Sequence, residues 1–263
     1  MKPDYKNWLP KGMLFALYAG FCVCAFLLGL FAGIGAGTGK VWAYILFGVF
    51  ALGTLVLCFV SVRMHRLYRA FSYDGKRRLS ARIVEGVASY ITLKEKGLCL
   101  DVGCGSGALA IAVAKKNPKG MVVGMDRWGK EYASYSKELC EQNAKAEGVA
   151  NARFEKGDAC ALPYSDGSFD AVVSNYVYHN IMGKDRQELL METLRVLKKG
   201  GSFAIHDQMN PVRYGDMNAF VQKLKTIGYE KVELIDTTPL FFQDEKEAKR
   251  LFLDHSFLLT GIK

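Results

Sequence analysis

The clearest candidate ligand site is a glycine-rich loop, Gly103-Cys104-Gly105-Ser106-Gly107, which follows the apolar segment 98–102. Glycines at this spacing let the backbone approach a ligand closely. Gly103, Gly105 and Ala108 also fit the dinucleotide pattern G-x-G-x-x-G/A. Asp101, at the mouth of the loop, favours a different ligand, because a carboxylate repels a pyrophosphate and attracts an amine or a sulfonium. The structural alternative for Asp101 is a strand-end cap on a backbone amide.

Two further polar residues follow apolar segments in the same way. Asp126 comes 19 residues after Gly107 and suits the two hydroxyls of a ribose, with the N-cap of the next helix as its alternative role. His179 is the best candidate for a general base, because the ordinary pKa of histidine, about 6.5, suits proton abstraction near neutrality. The alternative for His179 is a structural histidine at a helix start. The pair His206-Asp207 is a second, weaker candidate.

These residues end or follow apolar segments that alternate with helical ones. The predicted helices are a stretch around 77–91 and the segments 108–116, 130–147, 185–197 and 216–227. The predicted strands are 98–102, 121–126, 152–155, 169–174, 202–207, 232–236 and 256–260. Alternation at this spacing predicts an α/β fold with a Rossmann-like, doubly wound, mainly parallel seven-stranded sheet. Ligands of such sheets bind beyond the carboxyl ends of the strands, which is where the candidate residues fall.

Five stretches resemble, in order, the motifs of class I S-adenosylmethionine-dependent methyltransferases. They are LCLDVGCGSGALAIAVAKK at 98–116, VVGMD at 122–126, GDA at 157–159, SFDAVVSNYVYHN at 168–180 and RVLKKGGSFAIHD at 195–207. The last stretch departs from the family's usual RVLKPGG at Lys199, within a helix-to-strand turn. The resemblance extends over roughly residues 72–263 and is closest to the small-molecule branch that includes quinone and sterol methyltransferases.

The resemblance implies S-adenosylmethionine as the cofactor and assigns roles to matching residues. It implies that Asp101 and the backbone of the loop hold the methionine moiety, and that Asp126 binds the ribose hydroxyls. It places Arg127 and Trp128 beside the adenosine, Asp158 on the adenine amino group with Ala159 next to it, and Asn175 near the sulfonium. Methyl transfer is an in-line displacement, so the protein must mainly align the reactants and exclude water. A base is needed only when the nucleophile arrives protonated.

The N-terminal quarter has a different character. Segments 13–34 and 41–62 each contain 22 residues and no charge. As helices they would each be about 33 Å long, which matches a hydrocarbon core of about 30 Å. The short glycine-rich connection 35–40 predicts a flexible turn between antiparallel neighbours, and Gly29 and Gly33 form a GxxxG pair that could bring the two helices close. A cleaved signal peptide and a buried hairpin of a soluble protein are the alternatives.

Charge predicts the orientation of this hairpin. Of the formal net charge of +9, residues 1–70 contribute +6, from lysines before the first apolar segment, arginines after the second, and Lys40 between them. The positive-inside rule therefore predicts a two-span membrane protein with both termini and the catalytic domain in the cytoplasm. The expected division is a hairpin at 1–70, with the bilayer as partner of 13–62, and a cofactor-binding domain at 71–263.

Composition excludes several classes of protein. An apolar content of 50% excludes a disordered chain. The seven cysteines form no CxxC pair, which predicts neither a disulfide nor a metal site. Residues 71–263 carry only +3 and show no separate recognition domain, so a nucleic-acid partner is disfavoured.

The sequence therefore predicts a membrane-anchored methyltransferase acting on a small lipophilic acceptor, such as a quinol, an isoprenoid or a lipid headgroup. Two alternatives stay open at this point. One is an NAD-type dehydrogenase that uses the same glycine loop, and the other is a non-catalytic cofactor-binding or assembly protein.

Overall fold

The computed structural model describes residues 2–129 and 134–263, which form two compact units. One unit is Asn7–Ser80, and the other combines Met1–Lys6 with Ala81–Lys263. Residues 2–6 therefore belong to the second unit, and the 74 residues of Asn7–Ser80 separate them from the rest of it.

The unit Asn7–Ser80 is built on two long helices, α1 (Lys11–Thr38) and α2 (Val41–Phe71). Both are long and apolar enough to cross a membrane, and only 6% of the most apolar 18-residue window of each is buried. Helix α1 ends at Gly39, which has a φ of +64° and donates its N–H to the carbonyl of Gly35. The prediction of a flexible turn over 35–40 is therefore wrong for residues 35–38, which are helical. Gly35 lies against the ring of Tyr44, where a Cβ would stand 3.1 Å from Cε1.

Helices α1 and α2 pack through aromatic rings and other glycines. Phe31 stacks on Phe50 with 5.5 Å between ring centroids, and a Cβ on Gly53 would stand 3.5 Å from Cys24 Sγ. A Cβ on Gly29 or Gly33 would meet nothing within 4 Å. The hypothesis that this GxxxG pair brings the helices close is therefore wrong.

The second unit contains a seven-stranded sheet with the order β3-β2-β1-β4-β5-β7-β6 among the described residues. Strands β1 to β5 are parallel, and β7 runs antiparallel to β5 and β6. The strands are β1 Leu98–Val102, β2 Met121–Asp126, β3 Ala152–Lys156, β4 Phe169–Asn175, β5 Leu197–Gln208, β6 Glu230–Asp236 and β7 Ser256–Ile262. The predicted Rossmann-like, mainly parallel sheet is confirmed.

The helices of this region connect the strands. They are α3 Leu79–Ser89, α4 Ala108–Lys116, α5 Lys137–Ala146, α6 Arg186–Arg195, α7 Pro211–Tyr214, α8 Met217–Thr226, α9 Thr238–Phe241 and α10 Glu245–Arg250, with a 3-10 turn at Tyr178–Asn180. The short elements α7, α9, α10 and the 3-10 turn were not predicted, because each is too short to show a helical period. The order of the strands reverses between β1 and β4, so their carboxyl ends form the switch point where ligands of such sheets bind.

Two predicted boundaries are wrong by more than two residues. Helix α5 begins at Lys137 instead of residue 130, since the side chain of Ser136 caps it by accepting from the N–H of Leu139 at 3.2 Å. Residues 130–133 of that predicted helix lie outside the described residues. Strand β5 begins at Leu197, so Gly200 and Gly201 lie inside the strand instead of ending the preceding helix. A register shift between β4 and β5 accommodates the two glycines.

Candidate active site

The glycine-rich loop between β1 and α4 adopts a backbone that requires glycine at alternate positions. Gly103, Gly105 and Gly107 have φ values of +73°, +55° and +81°. A Cβ on Gly103 would stand 2.4 Å from Val177 Cγ2, so the segment after β4 packs directly on the loop. A Cβ on Gly105 would meet nothing closer than the ring of Tyr135, at 3.8 Å. The backbone at Gly105 is therefore the part of the loop that a ligand can approach.

Hydrogen bonds from β2 and the residues after it hold the loop in place. The carbonyl of Met125 accepts from the N–H groups of Gly103 and Cys104 at 2.8 and 3.0 Å. Asp126 Oδ2 accepts from the N–H of Gly105 at 2.8 Å, and Trp128 Nε1 donates to the carbonyl of Gly105 at 3.0 Å. These four hydrogen bonds hold the backbone of the loop in place.

Asp101 is the most unusual charge in the site. It is 1% exposed, and its Oδ2 has no hydrogen-bond partner among the described residues. Burial raises the pKa of Asp101 to about 8, against a backbone hydrogen bond from Ala110 that lowers it, and the charge of Asp126 adds to the rise. The cap interpretation therefore accounts for only one of the two carboxylate oxygens. An unpaired buried carboxylate suits a cationic ligand, which fits the amine and sulfonium of S-adenosylmethionine.

Asp126 lies at the carboxyl end of β2, next to β1. Its Oδ1 accepts from the N–H of Trp128 at 2.7 Å, and its backbone carbonyl accepts from Gly157 at 3.0 Å. Asp126 does not cap α5, because the N-cap of that helix is Ser136. The carboxylate instead joins the loop to the residues after β2.

The remaining residues assigned to adenosine surround this strand end. Asp158 is exposed, directly follows Gly157 and accepts from the N–H of Cys160 at 2.8 Å. Ala159 beside it is half-buried, and Arg127 is exposed next to Asp126. The structure therefore brings the predicted adenosine residues to the ends of the neighbouring strands β2 and β3.

Asn175 ends β4 and is held by a buried histidine of β5. Its Oδ1 lies 2.7 Å from His206 Nδ1, and His206 Nε2 lies 2.9 Å from Thr237 Oγ1. His206 is fully buried, and burial lowers its pKa to about 4. With both ring nitrogens engaged in the interior, His206 is not placed to take a proton from an acceptor.

His179 lies in the 3-10 turn after β4 and is paired with the next residue of β5. Its Nδ1 lies 2.5 Å from Asp207 Oδ1, and its side chain is 16% exposed. Burial raises the pKa of Asp207, but His179, the N–H of Gln208 and the hydroxyl of Tyr214 together lower it by more, so the pKa of Asp207 lies below its ordinary value. Asp207 Oδ2 also accepts from the N–H of Tyr178 at 2.7 Å. This arrangement favours a proton on Nδ1 of His179, which leaves Nε2 as the acceptor.

Sequence reasoning singled out His206-Asp207 as a pair, and the structure separates them. Successive side chains of a strand point to opposite faces, so His206 turns toward Thr237 while Asp207 meets His179. Two features of the sequence could have predicted the pairing of Asp207 with His179. One is the alternation of side chains along β5, and the other is the expected position of β5 beside β4.

Comparisons with known proteins agree with this geometry. Residues 100–205 match the family model described as a methyltransferase domain. A demethylmenaquinone methyltransferase of Geobacillus kaustophilus is 27% identical over 221 residues, which are 76% of this chain and 91% of that protein.

Solved structures share the fold. A geranyl diphosphate methyltransferase in complex with S-adenosylmethionine has a TM-score of 0.55 at 15% identity, covering 74% of this chain and 90% of that one. A methyltransferase dependent on the same cofactor, from Aquifex aeolicus, has a TM-score of 0.50 at 21% identity, covering 72% and 94%. The sheet with its strand-end site and these likenesses define the class of protein. The chain carries a class I S-adenosylmethionine-dependent methyltransferase domain, and S-adenosylmethionine is its cofactor.

Proposed function

We propose that this methyltransferase is anchored in a membrane by α1 and α2 and methylates a small lipophilic acceptor at the cytoplasmic surface. The observation that carries the proposal is the pair of long apolar helices in a chain that also carries a methyltransferase domain. The relative from Geobacillus kaustophilus is named as acting on demethylmenaquinone, a lipophilic quinone, which supports an acceptor of this kind.

Exposure of the two helices supports the membrane anchor. A hairpin at the core of a soluble protein would be mostly buried, whereas 94% of each apolar window is not. A cleaved signal peptide does not explain the second apolar helix, α2. The residues on either side of Asn7–Ser80 belong to the same unit and must lie on the same side of the membrane. This requires an even number of membrane spans, and two helices satisfy it. The flanking cations favour the cytoplasm as that side.

The cofactor, when bound, supplies an activated methyl group on its sulfonium. In the proposal Asp101 pairs with the cofactor amine, and the backbone of the glycine loop lies along the methionine moiety. The carboxylate of Asp126 accepts hydrogen bonds from two backbone N–H groups, and its remaining lone pairs can accept from the ribose hydroxyls. Asp158 and Ala159 border the adenine, and Asn175, held by His206, faces the reacting end.

His179 is the proposed general base. When the acceptor arrives protonated, Nε2 would take that proton during methyl transfer, in which the sulfonium–methyl bond breaks and a neutral thioether is left. The imidazolium that forms would be stabilised by Asp207. The dehydrogenase alternative is wrong, because the comparisons identify a methyltransferase.

The test uses the full chain in detergent with methyl-labelled S-adenosylmethionine, offered separately a membrane extract and a soluble extract of host cells. We expect label in lipid-soluble products of the membrane extract, identified by mass spectrometry. We expect His179→Gln to abolish this labelling and His255→Gln, a change at an exposed histidine outside the site, to leave it intact. Label that enters only water-soluble molecules would overturn the proposed acceptor class while leaving the methyltransferase assignment in place.

A further inference from the structure

Two of the residues in the segment 2–6, which precedes the apolar helices, form hydrogen bonds with α5 and the residue after it. The N–H of Asp4 donates to Asn143 Oδ1 at 2.7 Å, and Asn143 Nδ2 donates back to the carbonyl of Asp4 at 3.1 Å. The hydroxyl of Tyr5 donates to Glu147 Oε1 at 3.1 Å. Burial and the neighbouring Glu147 raise the pKa of Tyr5, which keeps this donor protonated. Only residues 7–10 separate this segment from α1.

Asn143 also holds the cofactor loop. It lies in α5, is 1% exposed, and its Nδ2 donates to the carbonyl of Ser106 at 3.0 Å. One helical turn earlier, Cys140 Sγ lies 3.2 Å from the carbonyl of Gly105. Helix α5 therefore contacts two consecutive carbonyls of the glycine loop, and one of these contacts shares a side chain with the N-terminal segment.

The chemistry of the amide makes the two contacts interdependent. An asparagine side chain has two N–H donors and one carbonyl acceptor, and at Asn143 the donors go to Asp4 and Ser106 while the acceptor serves Asp4. Removal of Asp4 would leave a buried N–H and a buried carbonyl without their partners. A buried amide with unpaired groups is expected to rotate until those groups find new partners. Such a rotation would break its remaining hydrogen bond to the carbonyl of Ser106.

We propose that Asn143 is a positioning residue that couples the segment 2–6 to the cofactor loop, so that S-adenosylmethionine binds most tightly when this segment is seated. The coupling uses the main chain of Asp4. The segment that enters the first apolar helix is thereby a structural part of the cofactor site.

The test is a double-mutant cycle on cofactor affinity, measured by calorimetry with S-adenosylhomocysteine on the full-length protein in detergent. One change is Asn143→Ala, the second is deletion of residues 2–5, and the third protein combines them. We expect each single change to weaken affinity about ten- to thirtyfold, and the combination to be no weaker than Asn143→Ala alone.

The matched control is Asn151→Ala. Asn151 Nδ2 donates to the carbonyls of Ala114, Asn117 and Gly120 at 2.9–3.1 Å, so this amide also fastens loops but does not contact the glycine loop. We expect this variant to lower the melting temperature with affinity kept within about twofold, because its contacts stabilise the fold alone. Unchanged affinity in the deletion protein, strictly multiplicative losses in the cycle, or an equal loss in the control would each overturn the proposal. If Asn143→Ala does not fold, the deletion protein alone decides, because it retains every residue of the glycine loop and α5.

Discussion

Replacement of Asp101 by asparagine should stabilise the cofactor-free protein and, at the same time, remove cofactor binding. The carboxyl group is 1% exposed, Oδ2 has no partner among the described residues, and burial raises its pKa from 3.8 to about 8. In the cofactor-free protein at pH 7, Asp101 is therefore mostly protonated, whereas in the unfolded chain it is ionised. Folding takes up a proton at this residue.

The sign and size of the effect on stability follow from that difference. Because the folded pKa is raised, the contribution to stability is complete below pH 3.8 and is lost as the pH rises toward 8. The loss is about 1.4 kcal/mol per pH unit, or about 4 kcal/mol between the ordinary pKa and pH 7. Asparagine avoids this loss but buries an amide in the same place, so we expect a net gain of about 1–3 kcal/mol at pH 7.

The affinity for the cofactor should depend on pH in the opposite direction and rise as the pH rises. In the proposed site a positively charged amine pairs with ionised Asp101, so below pH 8 the carboxyl group would release a proton on binding. We expect the affinity for S-adenosylhomocysteine to rise about tenfold per pH unit from 6 to 7.5 and to level off above 8. The asparagine variant should bind at least about a hundredfold more weakly, since a buried charged pair is lost.

Calorimetry at pH 6, 7 and 8 in two buffers of different ionisation enthalpy measures both the affinity and the protons released. Thermal unfolding of the cofactor-free proteins over the same pH range measures stability. The reasoning is refuted if affinity does not change with pH and no proton is released. It is also refuted if Asp101→Asn is less stable than the wild type at pH 7.

Three further predictions concern other residues of the site. His179→Gln should lower kcat about a hundredfold or more for a protonated acceptor and leave the Kd of S-adenosylhomocysteine within about twofold, and a variant with normal kcat would exclude it as the base. Asp126→Ala should weaken cofactor binding by about 1–3 kcal/mol in calorimetry, because both ribose hydroxyls and the N–H of Gly105 lose their acceptor, and an unchanged Kd would contradict that role. His206 has a pKa lowered to about 4, so its contribution to stability is complete above pH 6.5 and lost as the pH falls toward 4. Between pH 7 and 4.5, the melting temperature of His206→Gln should therefore fall less steeply than that of the wild type. Equal slopes for the two proteins would speak against a buried neutral histidine.

The strands that form the site could be predicted from the sequence because their signals are local. The apolar run 98–102, the glycines after it and the run 121–126 fixed β1, the loop and β2 to the residue, and these elements position Asp101 and Asp126. The acidic residues could be recognised because each ends a short apolar run.

The contacts that hold the site could not be predicted in the same way, because they join residues far apart in the chain. Asp207 and His179 are 28 residues apart, Asn143 and Ser106 are 37 apart, and Asn143 and Asp4 are 139 apart. The hydrophobic periodicity of the sequence indicates local secondary structure and does not predict such long-range contacts. The late start of α5 was missed for a local reason, since the capping serine at position 136 follows a stretch whose composition alone is compatible with a helix.

The path of the chain through the two units has a consequence for how this protein is made and shortened. The hairpin is inserted into the catalytic unit after its first few residues, so a ribosome delivers Asp4 long before its partner Asn143 exists. In the proposed membrane location of α1 and α2, their insertion would precede the seating of residues 2–6, and the catalytic unit would be completed last. A soluble version that starts after the hairpin lacks part of that unit. A version in which Lys6 is joined to Ala81 through a flexible linker keeps it, and is the better starting point for crystallisation with the cofactor.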